Sequence, residues 1–338
     1  MLVSVLMSVY KETTTYLREA IESILNQTYT DFEFVIVGDT PLSDRERIFG
    51  VVEEYASMDS RIKFYPNENN IGLTKSLNVG LSHCSGKYIA RMDADDISVP
   101  TRLEKQVVFM ESNPKILASS AWFEFIDEEG KHSGNIIRHS NSIEGIRLDI
   151  LKNTVMGHPV SIYHRIINDV EVRYDESMIY AQDYMLWVWI LRFGDISNIQ
   201  EVLLYYRLNG EQITSRYGQK QQECARKAQQ EAFAALYSFP IVDTFMDAFS
   251  SLTIKNDKDL SEETAMRGFQ EFFSHVKVTK DNYHVLKYIM DVYIEHYRHV
   301  TPKKHYHFLY NLTIRNKKLM LWSEADYIYN RISGMLIK

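Results

Sequence analysis

Four short apolar runs in the first hundred residues leave this chain few folds to choose from. They are Leu2–Val9 (LVSVLMSV), Phe32–Val37 (FEFVIV), Ile62–Tyr65 and Tyr88–Met92. The first two are rich in Val and Ile, as strands buried on both faces are. Between the runs lie segments with apolar residues at spacings of three and four. In Thr14–Asn26 these are Leu17, Ala20, Ile21, Ile24 and Leu25, the stripe of an amphipathic helix. Arg45–Met58 and Leu73–Ser82 read the same way. Strand and helix in alternation imply right-handed crossovers and an α/β fold with a mostly parallel central sheet. Such sheets bind ligands beyond the carboxyl ends of their strands. Those ends here carry Tyr10, Asp39 and the run Asp93-Ala94-Asp95-Asp96.

Further on, Pro100–Ser112 predicts a helix with Pro100 in its first turn. Ile116–Ile126 is strand-like, Ser142–Leu151 and Gln182–Arg192 helical, and Ile199–Arg207 a strand. After about residue 216 the pattern is helical only, broken at Pro240 and at Lys255–Ser261. Two domains are therefore expected, 1–215 and a helical 216–338. Charge divides at the same place. Residues 1–215 hold 20 Lys+Arg against 31 Asp+Glu, and the remainder 18 against 14. The acidic part suits a site built of carboxylates and a metal. The chain's net charge of −7 and the lack of any nucleic-acid motif exclude nucleic acid as a partner.

Cys84 and Cys224 stand in no metal-ligand spacing and form no disulfide framework, which fits a reducing cytoplasm. No apolar run approaches the ~18 residues of a membrane span. Met1–Tyr10 lacks the basic flank and cleavage site of a signal peptide and reads as a strand.

The chemistry concentrates in Asp93-Ala94-Asp95-Asp96. Three carboxylates in four residues repel one another unless a cation sits among them. Mg²⁺ or Mn²⁺, which take oxygen ligands and keep diphosphate oxygens, would be that cation. The alternative is a capping role for Asp95 or Asp96 on the turn toward Pro100. A second acidic point is Asp183, in Tyr180-Ala181-Gln182-Asp183-Tyr184 before Leu186-Trp187.

The segment NIGLTKSLNVGLSHCSGKYIARMDADD (70–96) resembles the matching stretch of family 2 glycosyltransferases with the GT-A fold. Ser8-Val9-Tyr10, Val37-Gly38-Asp39 and Gln182-Asp183 with Leu186-Trp187 extend the likeness over roughly residues 1–215. Within the family the chain resembles bacterial enzymes of capsule, lipopolysaccharide and exopolysaccharide synthesis. The resemblance implies a GT-A domain, a nucleotide-sugar donor (UDP-sugar favoured) and inverting transfer to a hydroxyl of a glycan or lipid-linked glycan. It assigns Asp183 as catalytic base and Asp95 as metal ligand. It puts the donor beside Val9, Tyr10, Glu12, Asp39, Lys75, Asn78, Asp93, Ala94 and Arg207. His158, in Gly157-His158-Pro159, together with Gln182 and Trp187, would lie near the acceptor or the sugar. Gly38, Thr40, Gln182 and Asn209 depart from the family's pattern.

Those departures are what a nucleotide-sugar-binding scaffold without turnover would show. A nucleotidyltransferase would want a Gly-rich basic segment after the first strand, where Tyr10-Lys11-Glu12-Thr13 stands instead. In the back part, Tyr283, Leu286, Lys287, Met290 and Tyr293 share a helical face, as in a core or a homo-oligomer interface. Arg298, Lys303, Lys304, Arg315, Lys317 and Lys318 with Tyr306, Phe308, Leu309 and Tyr310 suit an anionic membrane surface as well as they suit solvent. Peripheral attachment to the inner face of the cytoplasmic membrane would follow from the first.

Overall fold

Strand β1 (Val3–Val9) lies inside the sheet, and all seven of its residues are buried. A computed structural model describes residues 2–208, 218–255, 260–276, 279 and 281–297. β1 pairs in parallel with β2 (Phe32–Gly38) on one side and β4 (Tyr88–Met92) on the other. β3 (Ile62–Pro66) adds in parallel beyond β2. The crossovers are helices α1 (Thr14–Leu25), α2 (Leu42–Met58) and α3 (Leu73–His83). α1 starts where the Thr13 side chain accepts from the Tyr16 N–H, and it buries Leu17, Ala20, Ile21 and Ile24. The buried residues are those of the predicted apolar stripe apart from Leu25, which is only partly buried. α2 begins three residues before the expected Arg45. Its first residue, Leu42, is 74% exposed, so the apolar stripe could not mark that turn.

The acidic run after β4 leads into β5 (Ile97–Ser98) and then α4 (Arg102–Ser112). Pro100 precedes that helix rather than opening it; its carbonyl accepts from the Thr28 N–H at 2.9 Å. Next come β6 (Ile116–Ile126), β7 (His132–Ile137), α5 (Ile143–Asp149), a 3₁₀ turn at His158–Val160 and β8 (Ile162–His164). A short hairpin of β9 (Ile166–Ile167) and β10 (Val170–Glu171) precedes α6 (Gln182–Leu191) and β11 (Asp195–Arg207).

Among the described residues nine strands share one sheet, ordered β3-β2-β1-β4-β8-β6-β11-β5, with β7 off this path and paired to the last residues of β6, past the stretch that meets β8. The sheet is more mixed than expected. β8 is antiparallel to β4 and β6, β7 to β6, and β5 to β11. Two antiparallel steps restore direction, so β6 and its parallel partner β11 run the same way as β4. The carboxyl ends of β1, β2, β4, β6 and β11 therefore share one edge.

The chain divides into two compact units, Met1–Ile150 with Thr154–Ala228, and Leu151–Asn153 with the chain from Gln229. The expected boundary near residue 216 falls among residues outside those described. Helix α7 (Gly218–Tyr237) is followed by α8 (Asp243–Ser250), a π-helical turn at Ser251–Lys255, α9 (Glu262–His275) and α10 (Tyr283–Tyr297). Phe233, Phe245, Phe249, Phe269 and Phe272 form the aromatic core of the second unit. Leu286 and Tyr293 are buried in it, so that part of the α10 stripe is core. The basic and aromatic cluster from Arg298 onward lies outside the described residues.

Candidate active site

Four carboxylates crowd the carboxyl end of β4. Asp93 and Asp95 are half-buried and Asp96 is buried. Asp96 accepts from the Arg207 N–H at 2.9 Å through Oδ1, while its Oδ2 is buried with no hydrogen-bond partner. Burial raises the Asp96 pKa well above the usual carboxylate range, and Asp95 and Asp93 raise it further. Glu12, beyond the end of β1, is pushed up to about 7 by burial and by Asp95 and Asp93, although backbone N–H groups oppose the shift. One of those is the Tyr10 N–H, which donates to Glu12 Oε2 at 2.8 Å.

The only strong positive charge set against these acids in β4 is Arg91. Its guanidinium is fully buried and pairs with Asp93 through Nη2. Its Nε and Nη1 have no hydrogen-bond partner. Arg91 was not among the expected site residues. The signal for it was a lone cation inside the otherwise apolar strand YIARM.

Asp183 is the second residue of α6, close to the helix's positive end. It is not the N-cap. That position is Ala181, held in the left-handed region at φ 56° and ψ 30°, with no side chain capping the helix. Such a conformation is uncommon for a residue with a Cβ and tends to collect at functional sites. Burial raises the Asp183 carboxyl to about 6. The Tyr184 and Asp183 N–H groups and Arg91 pull it down, and Asp93 pushes it up. The structure thus brings Asp183, Asp93 and Arg91, from α6 and β4, within one electrostatic neighbourhood.

The other expected residues divide. Tyr10 is 44% exposed at the edge of the crevice. Val9 is buried and offers its carbonyl to the Asp39 N–H at 2.8 Å, and Ala94 is buried. Lys75 is exposed in the first turn of α3. His158 is neutral: burial and Arg91 lower its pKa well below 6.5, and its Nε2 meets the Tyr174 hydroxyl at 2.8 Å. Gln182 is buried at the start of α6.

Asp39 is buried and fully engaged. Oδ1 accepts from Asn67 Nδ2 at 3.0 Å and the Ile71 N–H at 2.7 Å. Oδ2 accepts from Asn70 Nδ2 and the Gly72 N–H, both at 2.9 Å. Four donors fill the roughly four lone-pair sites of a carboxylate. A uracil N3–H would have to displace one of them.

Three expectations need correction. Arg207 does not face a phosphate site: its guanidinium is buried over the Tyr16 ring and spent on the carbonyls of Asp95, Asp127 and Glu128 and on Glu19. It fastens the acidic loop. Asn78 is likewise a clamp, with Nδ2 on the Tyr174 carbonyl and Oδ1 on the Tyr174 N–H, each at 2.9 Å. Trp187 is fully buried and cannot touch an acceptor; it packs beneath His158 and Tyr163 at ring distances of 6.3 and 6.1 Å. Gly38, a departure from the family pattern, has a packing cause. A Cβ there would come within 2.5 Å of the Phe49 ring.

Among the described residues no three His, Cys, Asp or Glu side chains form a ready metal cage. The residues at β4 nevertheless fit a hard divalent cation. Their donors are all oxygen, Asp96 Oδ2 is buried and unpaired, and burial followed by the charges of Asp95 and Asp93 raises the pKa of both Asp96 and Glu12.

An α/β sheet whose parallel strands end at one edge, with an acidic loop after β4, has the fold of the GT-A glycosyltransferases. The chain belongs to glycosyltransferase family 2: residues 4–170 match the family described as glycosyl transferase family 2. It is 34% identical over 220 residues to the amylovoran biosynthesis glycosyltransferase AmsE of Erwinia amylovora, covering 64% of this chain and 79% of that one. Among solved structures, S. aureus TarS 1–349 in complex with UDP-GlcNAc superposes with a TM-score of 0.58 at 19% identity, covering 88% of this chain and 90% of that one. The mannosyltransferase PcManGT of Pyrobaculum calidifontis, in complex with GDP-Man and Mn²⁺, gives a TM-score of 0.53 at 13% identity, covering 95% and 87%.

Proposed function

We propose that this glycosyltransferase moves a sugar from a nucleoside-diphosphate donor, a UDP-sugar, to a glycan hydroxyl with inversion, assisted by Mn²⁺ or Mg²⁺. The observation that carries the reading is Asp183. It is one carboxyl, raised to about 6, set apart from the acid cluster yet within its field. Above that pH it is ionised and takes the proton of the acceptor hydroxyl as oxygen attacks the anomeric carbon. A single displacement needs one base and no second catalytic acid.

Asp95, with Asp93 beside it, would hold the cation, which when bound would offset the charge growing on the leaving diphosphate. Arg91 pairs with Asp93 and holds its carboxylate in place. Asp39 and its four donors hold the 67–72 loop and the start of α3, where exposed Lys75 can meet a phosphate. AmsE is named for amylovoran biosynthesis, which supports a surface polysaccharide as the product here. A lipid-linked acceptor would use the basic and aromatic residues beyond Tyr297 for membrane contact.

The test is the product. The anomeric proton read by NMR should show inversion, and nucleoside diphosphate should be released only with a divalent cation present. A retained anomer would overturn the Asp183 mechanism. Release that ignores chelator would overturn the metal. Pyrophosphate as product would make the enzyme a nucleotidyltransferase.

A further inference from the structure

Three aromatic rings at the shared sheet edge have no part in the chemistry described so far. Phe123 and Phe125 lie two residues apart on β6, and so on one face of that strand. Phe125 is the register partner of Tyr206 on β11. The rings touch pairwise: Phe123–Phe125 at 5.7 Å and 87°, Phe125–Tyr206 at 5.7 Å and 86°, Phe123–Tyr206 at 5.5 Å and 40°. All three are only half-buried. They stand next to the acids, because the following residue, Arg207, donates its N–H to Asp96. The Tyr206 phenol is raised by burial and then by Asp96, Asp93, Asp95 and Asp183, so it stands within the electrostatic field of the acid loop and of the base.

Sheet order gives these rings a place in the reaction. Asp39 follows β2, the acids follow β4, and the rings lie on β6 and β11, across β8 from β4. The acids stand between the nucleotide end and the aromatic end. We infer that Phe123, Phe125 and Tyr206 form the acceptor subsite and take a pyranose ring of the acceptor glycan. This rests on the assignment of Asp183 as base. A pyranose presents a face of C–H groups, which suits the negative face of an aromatic ring. Sites of this kind combine apolar walls with few polar groups. Gly157 belongs to the same design: a Cβ there would lie 2.9 Å from the Phe123 ring. Glycine at that position leaves the ring its seat.

The experiment uses the full chain and, as probes, the methyl pyranosides of glucose, galactose, mannose and N-acetylglucosamine. Saturation-transfer NMR reads sugar contact, and calorimetry with UDP and Mn²⁺ reads the nucleotide end of the same samples. At least one pyranoside should receive saturation from the unaltered chain. Phe125→Leu and Tyr206→Leu keep apolar bulk and remove a ring; each should weaken pyranoside binding about tenfold, while Tyr206→Phe keeps it. If Tyr206→Leu does not fold, Phe125→Leu decides alone. Equal saturation in the unaltered and Leu proteins, or none from any pyranoside, would overturn the subsite and leave the rings as core. Failure of the donor reading is separate: the unaltered chain would then bind no UDP, whatever the sugars do.

Discussion

Arg91 and Asp93, two residues apart where β4 ends, form an ion pair whose guanidinium side chain is 1% exposed and whose carboxylate is 33% exposed. Arg91 brings two further guanidinium nitrogens, Nε and Nη1, into the interior without partners. A buried cation this poorly satisfied adds little to stability. Its effect is on the acids: after the Tyr184 and Asp183 N–H groups, it is the side-chain charge that draws Asp183 down against burial and Asp93.

Replacing Arg91 by Met should therefore move the acid limb of the kcat–pH profile to higher pH. Without the cation Asp183 holds its proton more tightly, and the base is ionised over a narrower range. A profile with reduced height but an unmoved limb would show that Arg91 acts on packing alone.

Asp183→Asn should cut transfer by roughly 10²–10⁴-fold, the usual scale for a positioned base, while leaving UDP affinity in place. It should also stabilise the fold. The raised folded-state pKa means that Asp183 favours folding below about 3.8 and loses that contribution as pH rises through about 6. Asn carries no such dependence. Above pH 6 the variant should gain up to about 3 kcal/mol, and the gain should vanish below pH 4. Thermal melts across that range check the sign.

Asp95→Ala should remove Mn²⁺-dependent donor binding without unfolding the enzyme. The contact that ties this residue to Arg207 runs through its backbone carbonyl, which alanine keeps. Glu12, held near 7 partly by Asp95 and Asp93, supplies a second readout. A cation among these acids should release protons near pH 7, seen as a buffer-dependent binding enthalpy. Donor affinity unaffected by chelator would count against both.

The repeating strands and helices were legible because period and burial follow the same residues, as in Leu17, Ala20, Ile21 and Ile24 of α1. β5 was not. Its two residues carry no period and exist through pairing with Leu204 and Tyr205, more than a hundred residues away. β8 is hidden for the same reason. At the site, Asp183 and the acidic run stood out by charge. Asn78 looked like a ligand because nothing local says that its amide is consumed by Tyr174, 96 residues on. Arg207 misled in the same way. Long-range hydrogen bonds decide whether a polar residue is a strut or a contact, and they leave no mark on spacing.

Asp39 tests that distinction. If its carboxylate is first a strut, Asp39→Asn puts an NH₂ group among donors that need acceptors: Asn67, Asn70 and the N–H groups of Ile71 and Gly72. At least one buried donor is then left unsatisfied, at about 1–3 kcal/mol. The loop ahead of α3 loosens, and UDP and GDP should lose affinity alike. If Asp39 instead acts mainly by accepting a uracil N3–H, the variant should melt near the unaltered temperature and lose UDP selectively. Melting curves with paired UDP and GDP titrations separate the two. An unchanged melting temperature with a UDP-only loss would show that one of the four donors gives way to the base when the nucleotide binds.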